Sequence, residues 1–125
     1  FCSQRAVTAF ENAISLNPNE VRHQVNLALT YTDAPPANEP MKGVMMLREL
    51  EEEFPKSPLV YTSLAKLAIR TGQFERAIQR LTQALEIEPN NLNAICLLGQ
   101  AHAGAGNAAE AQAFKQQCQD MQNEI

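Results

Sequence analysis

The stretch that decides the fold is ALEIEPNN, residues 84–91, because the chain repeats its pattern twice upstream. The related stretches are AISLNPNE at 13–20 and LEEEFPKS at 50–57. Each contains a proline, and the prolines follow one another at intervals of 37 and 34 residues: Pro18, Pro55 and Pro89. A period of about 20 to 50 residues indicates a solenoid of stacked repeats.

Apolar residues precede each proline at three- and four-residue steps, as on one face of an α-helix. They are Ala6, Val7, Phe10, Ala13 and Ile14, then Val44, Leu47 and Leu50, then Ala77, Ile78, Leu81, Ala84 and Leu85. Each proline ends its helix because it lacks a backbone N–H and restricts the residue before it. A second helix is predicted after each stop, with start signals at Ser57–Pro58 and Asn91 and a stop signal at Gly72. The repeating unit is therefore helix, short turn, helix and proline stop.

These units resemble the tetratricopeptide repeat family, whose unit is a helix pair of about 34 residues. In the first helix of each repeat, this family favours Leu followed by a small residue, with an aromatic or small residue three positions after the small one. In the second helix it favours a small, a large and again a small residue along one face. The matching residues in first helices are Leu27, Ala28, Tyr31, Leu64, Ala65, Ala68, Leu98, Gly99 and His102. Those in second helices are Ala6, Phe10, Ala13, Ala77, Leu81 and Ala84. Small residues at helix crossings let the backbones approach until larger side chains interlock.

The resemblance covers the whole chain and implies an all-α fold, an α-solenoid of antiparallel helix pairs wound into a right-handed superhelix. It implies one domain of about three and a half repeats. Residues 1–20 would hold the second helix of an incomplete first repeat. Residues 21–57 would form a repeat with an inter-helix insertion at 32–40, and 58–91 the repeat that fits best. Residues 92–125 would form the last repeat, with a C-terminal capping helix.

The last repeat departs from the family pattern by one residue. Phe114, not Lys115, is expected to supply the large contact, and Asn123 replaces the proline. Its second helix keeps one apolar stripe among polar residues, which is typical of a terminal helix. The stripe is Ala111, Phe114, Cys118, Met121 and Ile125.

Composition argues against several classes of protein. A net charge of −4 argues against a general nucleic-acid binder, which usually carries a clustered basic excess. No apolar run approaches the roughly 18 residues that a membrane helix needs. The three cysteines, Cys2, Cys96 and Cys118, are odd in number and widely spaced. They are predicted to form neither a disulfide framework nor a zinc site, which favours a reducing, cytoplasmic location.

The N-terminal helix is predicted to lack its partner helix. Because the sequence does not start with Met, we expect an upstream segment, and Phe1 before Cys2 is untypical of a lipoprotein cleavage site. The apolar face of Ala6, Phe10 and Ala13 would then be covered by an upstream helix or by a second copy, giving a homo-oligomer.

No arrangement of residues predicts an enzyme or a cofactor. His23 and His102 lie on different helices without a nucleophile or acid at a matching spacing. His102 is expected to pack against the partner helix. Gly104 and Gly106 follow a helix and no strand, so they are interpreted as a helix end and turn, not a dinucleotide site.

In the tetratricopeptide family the first helices line a concave groove that binds a peptide, and the resemblance implies a protein-interaction scaffold. Lys66 and Arg70, four residues apart on one helix face, would with Arg22 make the groove locally positive and suit an acidic group. The groove residues would be Arg22, Asn26, Leu29, Ser63, Lys66, Ile69, Arg70, Asn93, Leu97 and Gln100. Three alternatives remain open: a merely solvated face, a self-assembly module, or the regulatory arm of a larger protein.

Overall fold

The computed structural model describes residues 2–16, 20–33 and 40–124, and within them the chain is helical with no strand. The helices are α1 (Cys2–Leu16), α2 (Val21–Asp33), α3 (Pro40–Glu53), α4 (Pro58–Arg70), α5 (Phe74–Ile87), α6 (Leu92–Gly104) and α7 (Ala108–Asn123). The predicted all-α solenoid of helix pairs is confirmed. The helices divide between two compact units, Phe1–Pro55 and Lys56–Ile125.

In the first unit, α2 packs against both α1 and α3. Val7 of α1 meets Leu27 and Tyr31 of α2 in a buried cluster, and three half-buried side chains pack against it: Phe10, Ile14 and Met46. The Lys42 ammonium lies 4.2 Å from the centre of the Tyr31 ring, where a cation is attracted to the aromatic face. One side of α1 is thereby tied to α2.

In the second unit, α4 pairs with α5 and α6 pairs with α7, while α6 also packs against α5 and α4. The core joins buried residues of α4, α5 and α6: Tyr61, Ala65, Ala77, Leu81, Ala84, Ala94, Leu97, Leu98 and Ala101. Three-residue turns, 71–73 and 105–107, connect the pairs, so their helices run antiparallel. Gly72 and Gly106 adopt φ values of +77° and +84°, which suit glycine at a helix end.

The helix starts follow the sequence signals with one difference. The Asn91 side chain accepts a hydrogen bond of 2.9 Å from the Ala94 N–H, which satisfies a donor that has no partner inside the helix. Ser57 occupies the corresponding position before α4, but its side chain makes no capping bond. Pro58 follows at the first helical position, where its fixed φ favours the start.

Small residues mark the close approaches of helices, as predicted. A Cβ on Gly43 would collide with the Thr32 side chain and lie 2.5 Å from the Ala28 carbonyl oxygen, so α2 and α3 touch at their backbones there. At Gly99 the nearest atom is the Lys115 Cγ, at 3.2 Å, so the contact with α7 is looser. Gly104 was predicted to end its helix together with Gly106. It is the last residue of α6, as predicted, and a side chain there would collide with the Phe74 ring.

The terminal helix α7 has the predicted one-sided stripe. Ala111 is buried, and Phe114, Cys118 and Met121 are half-buried, whereas the Gln, Asp and Glu side chains around them are exposed. Phe114, and not Lys115, packs against the core cluster, as expected. Ile125 lies outside the described residues.

The prediction that the cysteines form no disulfide is wrong for two of them. Cys96 of α6 and Cys118 of α7 are joined by a disulfide, with 5.1 Å between their Cα atoms. The reason is the register of the hairpin: Gly99 faces Lys115, and three residues farther from the turn on each helix Cys96 faces Cys118. The sequence contains this signal, since the length of the turn fixes which residues face each other. Counting cysteines without placing them on the hairpin misses it.

Two other sequence predictions fall partly outside the described residues. The insertion at 32–40 overlaps the end of α2 and the start of α3, and its residues 34–39 are not described. Pro18 is likewise outside the described residues. The predicted boundaries between repeats stay a prediction. The structure divides the chain into two compact units, and each unit holds more than one predicted repeat or part of one.

Candidate functional site

The most distinctive charged feature of the second unit is a basic pair on α4. Lys66 and Arg70 are both exposed, and their four-residue spacing places them on one face of the helix. Neither α4 nor α6, its neighbour, contains an acidic residue. The pair places two cationic side chains on one face of α4, in a chain whose net charge is −4.

The neighbouring helix α6 also carries exposed polar side chains. Asn93 and Gln100 are exposed and seven residues apart, hence on one side of α6, and α6 packs directly against α4. Ile69 of α4 is half-buried and packs against the core, leaving part of its side chain at the surface. We call these five residues, Lys66, Ile69, Arg70, Asn93 and Gln100, the α4–α6 face.

Two predicted groove residues are not available on this surface. Ser63 is 3% exposed and Leu97 is 8% exposed, and Leu97 belongs to the core cluster of the second unit. Their positions on α4 and α6 point into the packing between helices. A partner cannot reach these side chains in this structure.

The other three predicted groove residues lie on α2, in the first unit. Arg22 is exposed near the helix start, where its backbone N–H donates to Glu20 Oε1 over 3.3 Å. Asn26 and Leu29 are half-buried. A common positive surface of Arg22 with Lys66 and Arg70 stays a prediction.

The predicted self-association face on α1 is partly covered within the chain. Ala6, Phe10 and Ala13 are half-buried, and Phe10 packs against the Val7 cluster. A more polar surface of α1 is exposed: Arg5, Thr8, Ala9 and Asn12 line a shallow depression. Whether another copy covers the remainder of the Ala6, Phe10 and Ala13 face stays a prediction.

Exposed apolar side chains in the first unit were not anticipated from the sequence. Met41 and Met45 lie four residues apart on α3 and are 69% and 57% exposed. Leu16, the last residue of α1, is also strongly exposed. The helical spacing of apolar residues in α3 predicts a buried face of Val44, Leu47 and Leu50. It predicts no role for Met41 and Met45.

His102 has a structural role, as predicted from its position. Its ring stacks on Phe114 with 5.4 Å between ring centroids and an angle of 4° between planes. Its Nδ1 lies 3.1 Å from Nδ2 of Asn107, so the side-chain amide can donate to that nitrogen. These contacts join the end of α6 to α7 and the turn between them.

The described residues show no metal-binding cluster. Among them, no group of three or more His, Cys, Asp or Glu side chains could hold a metal ion. Every buried side-chain nitrogen or oxygen in this part of the chain has a hydrogen-bond partner. Of the helices described, none is long and apolar enough to cross a membrane.

Comparison with known proteins places this architecture in context. The sequence profile described as tetratricopeptide repeat matches residues 68–117, from the end of α4 into α7. The chain is 36% identical over 88 residues to the interferon-induced protein with tetratricopeptide repeats 2 of Cricetulus griseus. It is 34% identical over 98 residues to the protein of the same name from Homo sapiens.

These alignments cover 70% and 78% of this chain but only 18% and 21% of the relatives. The chain thus spans about a fifth of the length of the curated relatives that it matches.

Two solved structures of MamA are similar in fold to this chain, one labelled MSR-1 and the other AMB-1. Each superposes on 98% of this chain with a TM-score of 0.72 at 20% sequence identity. The superposition covers 69% of the first MamA chain and 70% of the second. A further crystal structure of MamA gives a TM-score of 0.63 at 17% identity, over 94% of this chain and 87% of that one. At these identities the similarity concerns the fold alone.

Proposed function

Because this chain belongs to the tetratricopeptide repeat family, whose repeats generally serve as protein-interaction scaffolds, we propose that its α4–α6 face binds an acidic peptide segment. The observation that carries the proposal is that Lys66 and Arg70 of α4, and Asn93 and Gln100 of α6, are all exposed on two helices that pack against each other and contain no acidic residue.

The chemistry of this face suits a carboxylate. A guanidinium or ammonium group forms charge-assisted hydrogen bonds to carboxylate oxygens, which are stronger than neutral ones. The amides of Asn93 and Gln100 can donate to and accept from the backbone of an extended peptide, and the exposed part of Ile69 can contact an apolar side chain. Residues of α4 and α6 belong to the core of the second unit, so the two helix backbones are ordered before binding, and only the exposed side chains lose rotamer freedom.

The distribution of charge supports the same assignment. Acidic residues outnumber basic ones in the first unit, whereas the second unit has equal numbers of both, and α4 carries two basic residues and no acidic one. Positive potential at this face would speed encounter with an acidic partner and reject a basic one.

The test is charge reversal with a matched control. The variant K66E/R70E should weaken the binding of acidic peptides by about tenfold or more, because each attractive charge becomes repulsive. The control R76E/K115E makes the same change in net charge at exposed residues of α5 and α7 and should leave binding nearly unchanged.

Short acidic peptides, selected with the wild-type chain from a library, provide the ligands. Their affinity is measured by fluorescence anisotropy at low and moderate salt, while circular dichroism confirms that each variant is folded. Equal affinity of the wild type and K66E/R70E, or equal loss in both double variants, would contradict the proposal.

Self-assembly is the second candidate, favoured by the contacts of α1. Within the described chain α1 packs against α2 alone, and its residues Ala6, Phe10 and Ala13 are only half-buried. Light scattering across a range of concentrations separates the candidates: a mass that rises with concentration and is unaffected by K66E/R70E indicates self-association. A regulatory arm of a larger protein also stays a proposal, which mass analysis of the full-length protein would test.

A further inference from the structure

The two halves of α7 are held to the second unit by different means. In the first half, Ala111 is buried and Phe114 packs on the core and stacks on His102. From Cys118 to Asn123, only Cys118 and Met121 are half-buried, and the other four side chains are exposed. The Cys96–Cys118 disulfide is therefore the main attachment of the second half.

We propose that the Cys96–Cys118 disulfide is a redox switch that controls whether residues 118–123 stay packed on α6. The end of a helix frays readily unless tertiary contacts hold it in place. Without the covalent link, the side chains of Cys118 and Met121 are the half-buried ones left among these residues. Segments with few buried apolar contacts open first when a protein unfolds locally.

The switch requires a reductant, which we assign to the class of small thiols. A reductant thiolate attacks one sulfur, forms a mixed disulfide with that cysteine and releases the other cysteine as a thiolate. A second reductant thiolate then attacks the reductant's sulfur in the mixed disulfide. The bond to the cysteine sulfur breaks, the second cysteine leaves as a thiolate, and the reductant's own disulfide forms. The two cysteines thereby receive two electrons from the reductant and two protons from solvent. Cys96 and Cys118 are both half-buried, so neither residue is fully shielded from a small reagent.

The switch is independent of the proposed peptide-binding face. It concerns the order of one helix end, and it holds or fails whether or not Lys66 and Arg70 bind a partner. The switch depends on the disulfide, which joins α6 to α7 at the end of the hairpin away from the turn.

Thiol titration is the first test. The unfolded but unreduced chain contains three cysteines, two of them in the disulfide, so we expect one reactive thiol, that of Cys2. Reduction with dithiothreitol should raise the number to three. Three thiols before reduction would overturn the proposal.

Amide hydrogen exchange of the folded chain is the second test, with and without dithiothreitol. Reduction should speed exchange of residues 118–123 by about tenfold or more and change residues 108–114 much less, because their contacts remain. The C96S/C118S variant should show the reduced pattern without any reductant and should not respond to it. The control C2S should behave as the wild type.

The outcomes are decisive in either direction. Unchanged exchange after reduction, or an equal change along the whole of α7, refutes the switch. If C96S/C118S does not fold, the reduced wild-type chain still gives the comparison.

Discussion

Replacing Gly43 by alanine tests whether α2 and α3 touch at their backbones as the structure shows. In a helix interior this change normally stabilises by about 1 kcal/mol, because alanine is the better helix former. Here the new Cβ would lie 2.5 Å from the Ala28 carbonyl oxygen and would collide with the Thr32 side chain. The backbone oxygen cannot move aside unless the two helices separate.

Thr32 cannot turn away without loss. Its side chain is buried, and its Oγ1 donates a hydrogen bond of 2.7 Å to the Leu29 carbonyl oxygen, which fixes the methyl group against Gly43. Rotation of this side chain would sacrifice a bond whose net contribution is about 1 kcal/mol.

The net effect of Gly43→Ala follows from these terms. Overpacking in a close contact costs about 1–3 kcal/mol, and the collision with a backbone atom favours the upper end. After subtraction of the gain in helix propensity, we expect the free energy of unfolding to fall by about 2 kcal/mol. That corresponds to roughly a 30-fold shift in the unfolding equilibrium and to a decrease in Tm of about 10 °C for a unit of this size.

Gly99→Ala is the matched control. Its Cβ would meet the Lys115 Cγ at 3.2 Å, part of an exposed and flexible side chain, and the nearest backbone atom is the Lys115 nitrogen at 3.4 Å. The variant should therefore be unchanged in stability or gain up to about 1 kcal/mol.

Denaturant unfolding followed by circular dichroism, with amide exchange in α2 and α3, gives the comparison. If Gly43→Ala is as stable as the wild type or more so, or if Gly99→Ala loses as much, the inferred difference between the two helix contacts is incorrect.

Two further predictions concern helix capping and the core. Asn91→Ala should lower the free energy of unfolding by about 1 kcal/mol because it removes the hydrogen bond to Ala94 N–H, whereas Ser57→Ala should change it little since Ser57 makes no side-chain cap bond. Equal losses in thermal melts of the two variants would argue against this. Leu81→Ala should cost about 2–5 kcal/mol through a cavity at a fully buried site, and Ile87→Ala, at a partly exposed site, much less. Urea unfolding measures both, and a small effect at Leu81 would be inconsistent with the described core.

Local features of the fold were predictable because they depend on short stretches of chain. The apolar steps and the proline stops place α4 at 58–70 and end α5 before Pro89. Cap chemistry placed the start of α6 just after Asn91, and Gly72, a glycine with positive φ, lies in the turn that follows the end of α4. Each of these follows from backbone geometry and from neighbours within a few residues.

The candidate site was only partly predictable. Lys66 and Arg70 are exposed as their helix positions suggested, but Ser63 and Leu97, predicted for the same groove, are buried. The family pattern gives the side of a helix that faces the inner surface, whereas the burial of one side chain depends on how closely the neighbouring helix approaches.

The sequence by itself determined that this chain is a series of helix pairs with small residues at their contacts, because helical periodicity and proline stops are properties of the local chain. The tertiary structure decided which contacts are tightest, which predicted surface residues are buried, and that Cys96 and Cys118 are bonded. These depend on distances between residues far apart in the chain, which are set when the helices pack.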